Sequence, residues 1–196
     1  MGIMVDGEWQ TEEFAKRNRS GRYVRVSTQF RDIITADGSS GFPAEIGRYH
    51  LVVAHACPWA HRTLILRALK GLHDVISVAY VDPLMRENGW TFGGESDPVT
   101  GVNHVHELYA AAAPGYSGRC SVPVLWDTHT SSIVNNESAD IVRMLNAAFN
   151  SHASQVCGDL YPPALRPAID EVNELVYERV NNGVYKCGFA TTQVAY

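Results

Sequence analysis

The chain lacks several features that mark whole classes of protein. Its 196 residues contain no apolar run of the roughly 18–20 residues that a membrane span requires, and the polar N-terminus has no signal-peptide core. Acidic residues outnumber basic ones by 21 to 16, so a formal net charge of −5 gives no basis for binding a nucleic acid backbone. A hydrophobic content of 45% excludes a disordered chain. We therefore expect a folded cytoplasmic protein that binds neither membranes nor nucleic acids.

Cysteine is scarce, and its positions give no paired pattern. The four cysteines are Cys57, Cys120, Cys157 and Cys187, and no two of them form a CxxC motif. Widely separated thiols fit a reducing compartment better than a disulfide framework. The question is then whether one of these thiols is reactive.

The composition divides the chain into three parts. Residues 1–47 are rich in Gly, Ser, Arg and Asp, and we expect them to form an extended N-terminal leader. Residues 48–150 alternate strand-like and helix-like patterns, and residues 151–196 begin an all-helical part.

The middle part has the element order of a thioredoxin-like domain. A strand, a helix that stops at Gly71, and a second strand make a unit whose two strands should be parallel. A further helix, a β-hairpin and a last helix follow, which gives the α/β order β-α-β-α-β-β-α. The predicted strands are 49–54, 75–81, 122–127 and 131–134. One predicted helix starts after Pro58, a second covers residues 104–113, and a third starts near residues 136–138.

The last part predicts one amphipathic helix. Its apolar stripe is Ile169, Val172, Val176 and Val180, and the helix should end at 181–183. A single helix cannot bury such a stripe by itself. We expect this part either to pack on the first domain or to be the incomplete beginning of a longer helical domain.

Cys57 is the candidate nucleophile. It stands at the predicted strand-to-helix turn, before Pro58, a residue favoured at the first helical position. The free amides and dipole of a helix N-terminus stabilise a thiolate and lower the thiol pKa, and Arg62 adds positive potential. The alternative is a buried, unreactive cysteine. Because Ala60 occupies the place of a second cysteine, the partner thiol must come from elsewhere, and glutathione is the simplest source.

Two other places in the sequence suit a bound peptide such as glutathione. Val122-Pro123 has the form of a cis-proline strand start, whose backbone can pair with an extended peptide. Glu137 and Ser138, at a helix start, offer an acid for an ammonium group and a hydroxyl with helix amides for a carboxylate. The structural alternatives are an ordinary loop and a helix cap.

Five segments carry a resemblance to a known family. They are Cys57–Arg62, Gly89–Phe92, Val122–Asp127, Ile133–Ser138 and Asn181–Tyr185. Together they resemble the glutathionyl-hydroquinone reductases, the Xi class of glutathione transferases. The resemblance implies a thioredoxin-like N-terminal domain and the start of a helical glutathione transferase C-terminal domain. It also implies that glutathione, as co-substrate, reduces glutathionyl-hydroquinones to hydroquinones through a Cys57–glutathione mixed disulfide.

The resemblance further assigns individual roles. Cys57 would be the nucleophile, and Tyr185 would hydrogen-bond or protonate the hydroquinone oxygen. The remaining contacts would be to glutathione, from Trp90, Arg119, Val122, Glu137 and Ser138. Outside such a site, Trp90 would be a core aromatic, Arg119 a surface charge and Tyr185 a helix-packing residue.

Other functions stay open. The chain could be a general, omega-like glutathione thioltransferase, or a non-catalytic glutathione-binding fragment. A conjugating transferase is disfavoured, because Cys57 stands where such enzymes use Ser or Tyr. No metal is expected, although Cys57 and His61, with His50 and His55 nearby, present a minor zinc alternative. A homodimer is expected only where the full helical domain is present.

Overall fold

The computed structural model describes residues 2–11, 20–154 and 157–196. They form two compact units. The first combines residues 2–11 with Thr28–Asp159, and the second combines residues 20–27 with Leu160–Tyr196. Within the described ranges, no helix has the length and apolar character needed to cross a bilayer.

The first unit contains six strands and three helices. In chain order they are β1 (Ile3–Val5), β2 (Glu8–Gln10), β3 (Tyr49–Ala54), α1 (Pro58–Leu69), β4 (Ile76–Val81), α2 (Val105–Ala112), β5 (Val124–Asp127), β6 (Ser132–Asn135) and α3 (Ser138–Ala147). A four-stranded sheet has the order β4-β3-β5-β6. β3 pairs with β4 in parallel and with β5 antiparallel, and β5 pairs antiparallel with β6. This mixed sheet confirms the thioredoxin-like fold predicted from the sequence.

β3 is the central strand of the core. All six of its residues, Tyr49–Ala54, are buried, as expected for an apolar, β-branched run with a strand on each side and helices over the sheet. α1 packs against α3 and contacts β3. α1 ends at Leu69, and Gly71 follows with a φ of 61°, the left-handed conformation that glycine supplies after a helix.

The N-terminal segment is more structured than an extended leader. β1 and β2 form a hairpin around Asp6 and Gly7, both with positive φ, and Met4 in this hairpin is 1% exposed. Residues 30–32 run beside β6, where the N–H of Asp32 bonds to the carbonyl of Val134 at 3.0 Å. The expectation of an extended leader missed the hairpin, because three-residue strands are too short to show a period.

The second unit is helical from Pro163 to Gly188. A 3₁₀ turn (Pro163–Leu165) leads into α4 (Arg166–Val176), a π-helical turn (Tyr177–Asn181) and α5 (Asn182–Gly188). The prediction that the helix ends at 181–183 is therefore wrong. Gly183 inside a helix costs only about 1 kcal/mol, and contacts within the unit offset it.

Those contacts come from residues 20–27. The ring of Tyr185 in α5 stacks on Tyr23 and Phe189, with centroids 5.7 and 6.2 Å apart. The guanidinium of Arg25 lies 4.4 Å from the Tyr185 ring centroid and bonds to the side chain of Asn182. A strong stop signal in the sequence is thus overridden by packing from a distant segment.

Candidate active site

Cys57 is the N-cap residue of α1. β3 ends at Ala54, whose carbonyl accepts the Cys57 N–H at 3.0 Å, and the Cys57 carbonyl accepts the first helical bond from His61 at 3.0 Å. Pro58 occupies the first helical position. The tight turn leaves Cys57 half-buried, with its side chain at the positive end of the helix.

A helix N-terminus stabilises negative charge, which is the basis on which the sequence predicts a reactive thiol at Cys57. The first-turn amides of α1 have no partners inside the helix, and the helix dipole adds positive potential at the same end. The first turn of α1 contains no acidic residue that would oppose a thiolate. The Arg62 guanidinium, one turn further along, lies 5.3 Å from the Trp59 ring centroid.

The Val122–Pro123 segment lies against Cys57. The Cys57 Sγ donates to the Val122 carbonyl at 3.3 Å, and the Val122–Pro123 peptide bond is cis. The Tyr109 hydroxyl donates to the Ser121 carbonyl at 2.8 Å and accepts from the Asn136 amide at 3.0 Å. Burial raises the pKa of Tyr109 to about 12, so the hydroxyl stays a donor at neutral pH. Tyr109 therefore ties the segment before β5 to the start of α3.

Glu137 and Ser138 are brought together by Arg62. Nε and Nη2 of Arg62 lie 2.9 and 2.6 Å from the Ser138 hydroxyl, and Nη2 lies 3.8 Å from Glu137 Oε1. Glu137 is the N-cap of α3 and accepts the N–H of Ala139. The Thr28 hydroxyl donates to Glu137 Oε2 at 3.2 Å. A cation, an anion and helix amides thus meet beside each other at the start of α3.

The other predicted site residues are placed less directly. Trp90 is half-buried against the core, and its carbonyl accepts the N–H of Val105 at 3.0 Å. Arg119 is exposed, and its carbonyl accepts the Tyr116 hydroxyl at 3.0 Å. Tyr185 belongs to the second unit. The roles of these three residues remain predictions.

Two features of this site escape sequence reasoning. Thr28 lies in the segment taken as a leader, 109 residues from its partner Glu137, and no pattern marks it. Arg62 is expected only to add positive potential near Cys57, whereas the structure gives it Ser138 as a hydrogen-bonding partner. Neither contact has a signal in the spacing of the sequence.

The histidines of the minor zinc alternative have other partners. His50 is 1% exposed, and its ring nitrogens lie 2.7 Å from the Ser77 hydroxyl and 3.2 Å from Asp97. The ring of His55 stacks on Tyr80 with centroids 4.5 Å apart.

Comparison with known proteins agrees with this geometry. Residues 56–148 match the glutathione S-transferase N-terminal domain. Over its whole length, the chain is 50% identical to glutathionyl-hydroquinone reductase YqjG of Escherichia coli and 48% identical to glutathionyl-hydroquinone reductase PcpF of Sphingobium chlorophenolicum. It covers 63% and 62% of those proteins.

Solved structures of glutathione transferases superimpose on this chain. The chain superimposes with a TM-score of 0.88 on a Xi-class glutathione transferase from Natrialba magadii, at 46% identity, covering 100% of this chain and 60% of that one. The glutathione-bound structure of Escherichia coli YqjG gives a TM-score of 0.85 at 49% identity, covering 100% of this chain and 61% of that one. The chain thus spans about three-fifths of the length of these relatives.

Fold and sequence together define the class of protein: residues 56–148 form a glutathione S-transferase N-terminal domain. Over its whole length, the chain is similar to a Xi-class glutathione transferase of known structure and to two glutathionyl-hydroquinone reductases.

Proposed function

We propose that this chain carries the glutathione-binding and nucleophilic half of a glutathionyl-hydroquinone reductase, with Cys57 as the nucleophile. The observation that carries the proposal is the position of Cys57 at the N-terminus of α1, with its sulfur 3.3 Å from the Val122 carbonyl. Sequence identity of about 50% to two glutathionyl-hydroquinone reductases supports the choice of substrate.

The proposed reaction has two steps, and in each of them a thiolate attacks a sulfur atom. The Cys57 thiolate attacks the glutathione sulfur of the conjugate, so an S–S bond forms while the bond from sulfur to the aromatic carbon breaks. That carbon takes up a proton, and the free hydroquinone leaves. A glutathione thiolate then attacks the mixed disulfide, which releases glutathione disulfide and restores the Cys57 thiolate. In each turnover, one glutathione thiol and the glutathionyl sulfur of the conjugate become glutathione disulfide, while the aromatic carbon exchanges its bond to sulfur for a bond to hydrogen.

The groups around Cys57 suit a glutathione sulfur held beside it. The backbone of Val122 would pair with the cysteinyl unit of the tripeptide in the manner of an added strand. Glu137 and Ser138 would hold the charged γ-glutamyl end, where a carboxylate meets the amides of α3. Arg62 contacts both of these residues, so we assign it a positioning role.

The remaining roles follow from the family resemblance. Trp90 would pack on glutathione, Arg119 would supply a cationic contact, and Tyr185 would hydrogen-bond or protonate the hydroquinone oxygen. A phenol is a suitable group for that task, because it both donates and accepts a hydrogen bond at neutral pH.

A general thioltransferase is the second candidate. One relative, 49% identical over 91% of this chain, is a glutathione S-transferase omega-like protein of Schizosaccharomyces pombe. Such an enzyme would remove glutathione from simple mixed disulfides as well, using the same Cys57 thiolate. The two candidates therefore differ in substrate and not in nucleophile.

Relative turnover separates the two candidates. The purified chain is assayed with glutathione and either a glutathionyl-hydroquinone or a simple glutathione mixed disulfide. We expect faster turnover of the glutathionyl-hydroquinone and loss of both activities in Cys57→Ser, with Cys187→Ser as a matched control on an exposed cysteine. Faster turnover of the mixed disulfide would favour the thioltransferase, and activity retained by Cys57→Ser would reject the proposed nucleophile.

A further inference from the structure

Three metal-ligating side chains converge at the start of α2. His104 is the N-cap residue of this helix, and His106 and Glu107 lie in its first turn. One ligand atom of each residue lies within 4.8 Å of the others. Among the residues that the structure describes, no other three such side chains come together in this way.

Helix capping explains part of this cluster. Oε2 of Glu107 accepts the backbone N–H of Asn103 at 3.0 Å, and its Oε1 lies 2.7 Å from Nδ1 of His104. A carboxylate in the first turn commonly satisfies free backbone donors in this way. Capping accounts for Glu107 and His104, but it does not involve His106.

His106 carries the observation that capping leaves unexplained. Its Nδ1 is buried and has no hydrogen-bond partner. In the tautomer that carries its proton on Nε2, the His106 ring keeps a lone pair on Nδ1. A buried lone pair without a partner is costly until something binds it.

Stacked rings hold His106 in place. Trp9 lies over it with ring centroids 4.4 Å apart and an interplanar angle of 11°, and the His104 ring stacks on it at 5.0 Å. The Trp9 indole donates to the Glu87 carbonyl at 3.2 Å. Gly89 lets Trp9 sit this close, because a Cβ there would lie 2.9 Å from the indole ring. The His106 ring is therefore packed against two aromatic neighbours.

We propose that His104, His106 and Glu107 form a binding site for a divalent transition-metal ion, with Zn²⁺ as the occupant. Two imidazoles and one carboxylate are a ligand set that zinc accepts while keeping a fourth position for water. Zinc holds such ligands at about 2.0–2.2 Å, so the His104 and His106 rings must turn out of their stacked arrangement to bring the three ligand atoms onto one ion. Glu107 exchanges its bond to His104 for the metal.

This site is independent of the proposed catalytic function. The sequence-based expectation of no metal weighed Cys57 and its neighbouring histidines, and it took residues 104–113 only as a helix. The segment His104-Val105-His106-Glu107 nevertheless has the required ligand types on adjacent positions.

Competition titration tests the proposal directly. The full chain, with the accessible cysteines Cys57, Cys157 and Cys187 changed to Ser because thiolates also bind zinc, is titrated with Zn²⁺ against a chromophoric chelator. We expect one zinc ion per chain. Because no catalytic cysteine remains in this variant, failure of the proposed reductase function cannot affect the result.

Substitutions locate the ion. His106→Ala and Glu107→Gln should each weaken zinc binding at least about tenfold, since even an outer-shell partner is worth about 10–100-fold in metal affinity. His73→Ala removes an exposed histidine elsewhere and should leave binding unchanged. Glu107→Gln keeps a side-chain oxygen that can accept the N–H of Asn103, so this variant should fold. It therefore tests whether the cluster binds zinc even if His106→Ala fails to fold.

Trp9 supplies a second readout. Cu²⁺ binds such ligand sets more tightly than Zn²⁺, and it should quench the fluorescence of Trp9 in the parent chain. Trp9→Phe should remove that quenching, and excess Zn²⁺ should reverse it. Absence of metal binding by the folded chain, or binding that His106→Ala and Glu107→Gln leave unchanged, would overturn the proposal.

Discussion

Arg48→Gln should destabilise the first unit far more than Arg31→Gln, although both arginines bind an aspartate through two hydrogen bonds. Nε and Nη2 of Arg48 lie 2.9 and 2.7 Å from the Asp127 carboxylate. Nε and Nη2 of Arg31 contact Asp140 in the same two-point manner. The Arg48 and Asp127 side chains are 9% and 0% exposed, whereas Arg31 is 50% exposed. The pairs thus differ mainly in burial.

Burial sets the magnitude. Burial acts to raise the pKa of Asp127, but hydrogen bonds, first that from Arg48, hold it below its usual value, so the carboxylate is charged at neutral pH. In Arg48→Gln, this charge keeps only the N–H of His129 and the hydroxyl of Thr130. Removing one partner of a buried ion pair costs about 3–5 kcal/mol. An exposed pair is worth about 0–1 kcal/mol.

Urea unfolding followed by far-UV circular dichroism measures the difference. We expect the free energy of unfolding to fall by about 3–5 kcal/mol in Arg48→Gln and by less than about 1 kcal/mol in Arg31→Gln. The dependence on urea concentration should stay the same in both variants. Equal losses in the two variants would refute the reasoning that burial makes the Arg48–Asp127 pair the stronger constraint.

Two further predictions concern a buried carboxylate and a positioning residue. Burial acts to raise the pKa of Asp97, but hydrogen bonds from His50 and Thr100 outweigh this effect and hold the pKa at about 2. The ionised Asp97 therefore contributes its full stabilisation to the fold above about pH 4, and this contribution is lost as the pH falls toward 2. Asp97→Asn should remove about 1 kcal/mol of the stability lost between pH 5 and pH 3, as measured by urea titrations at the two pH values, and an unchanged pH slope would contradict this. Arg62→Gln should raise the KM for glutathione about tenfold, with little effect on the free energy of unfolding. The reason is that Ser138 loses its charge-assisted hydrogen bonds from Arg62. An unchanged KM would refute a positioning role for Arg62.

The central fold was predictable because its signals are local. The apolar run 49–54 could only be a buried strand, and Pro58 after Cys57 marks a helix start that the structure contains. The Asp6-Gly7 turn is also a strong hairpin signal, but the strands beside it have three residues each. Three residues are too few to show the alternation of apolar and polar side chains that marks a strand.

Contacts between distant segments were not predictable. The helix was expected to stop at 181–183, and it continues because Arg25 and Tyr23 pack on Asn182 and Tyr185, more than 150 residues away. The Thr28 contact to Glu137 likewise joins residues 109 positions apart. The position of a residue could be predicted where a local turn fixes it, as for Cys57 at the start of α1. A contact that depends on which distant side chain arrives could not be predicted.

Intact-mass spectrometry of the chain tests the proposed nucleophile most directly. The purified chain and Cys57→Ser are each incubated with a glutathionyl-hydroquinone, and folding of both is checked by a cooperative thermal transition. We predict that the parent chain gains the mass of one glutathionyl group, that added glutathione removes it, and that Cys57→Ser gains nothing. No adduct on the folded parent chain, or an adduct that persists in Cys57→Ser, would contradict a mechanism through the Cys57 mixed disulfide.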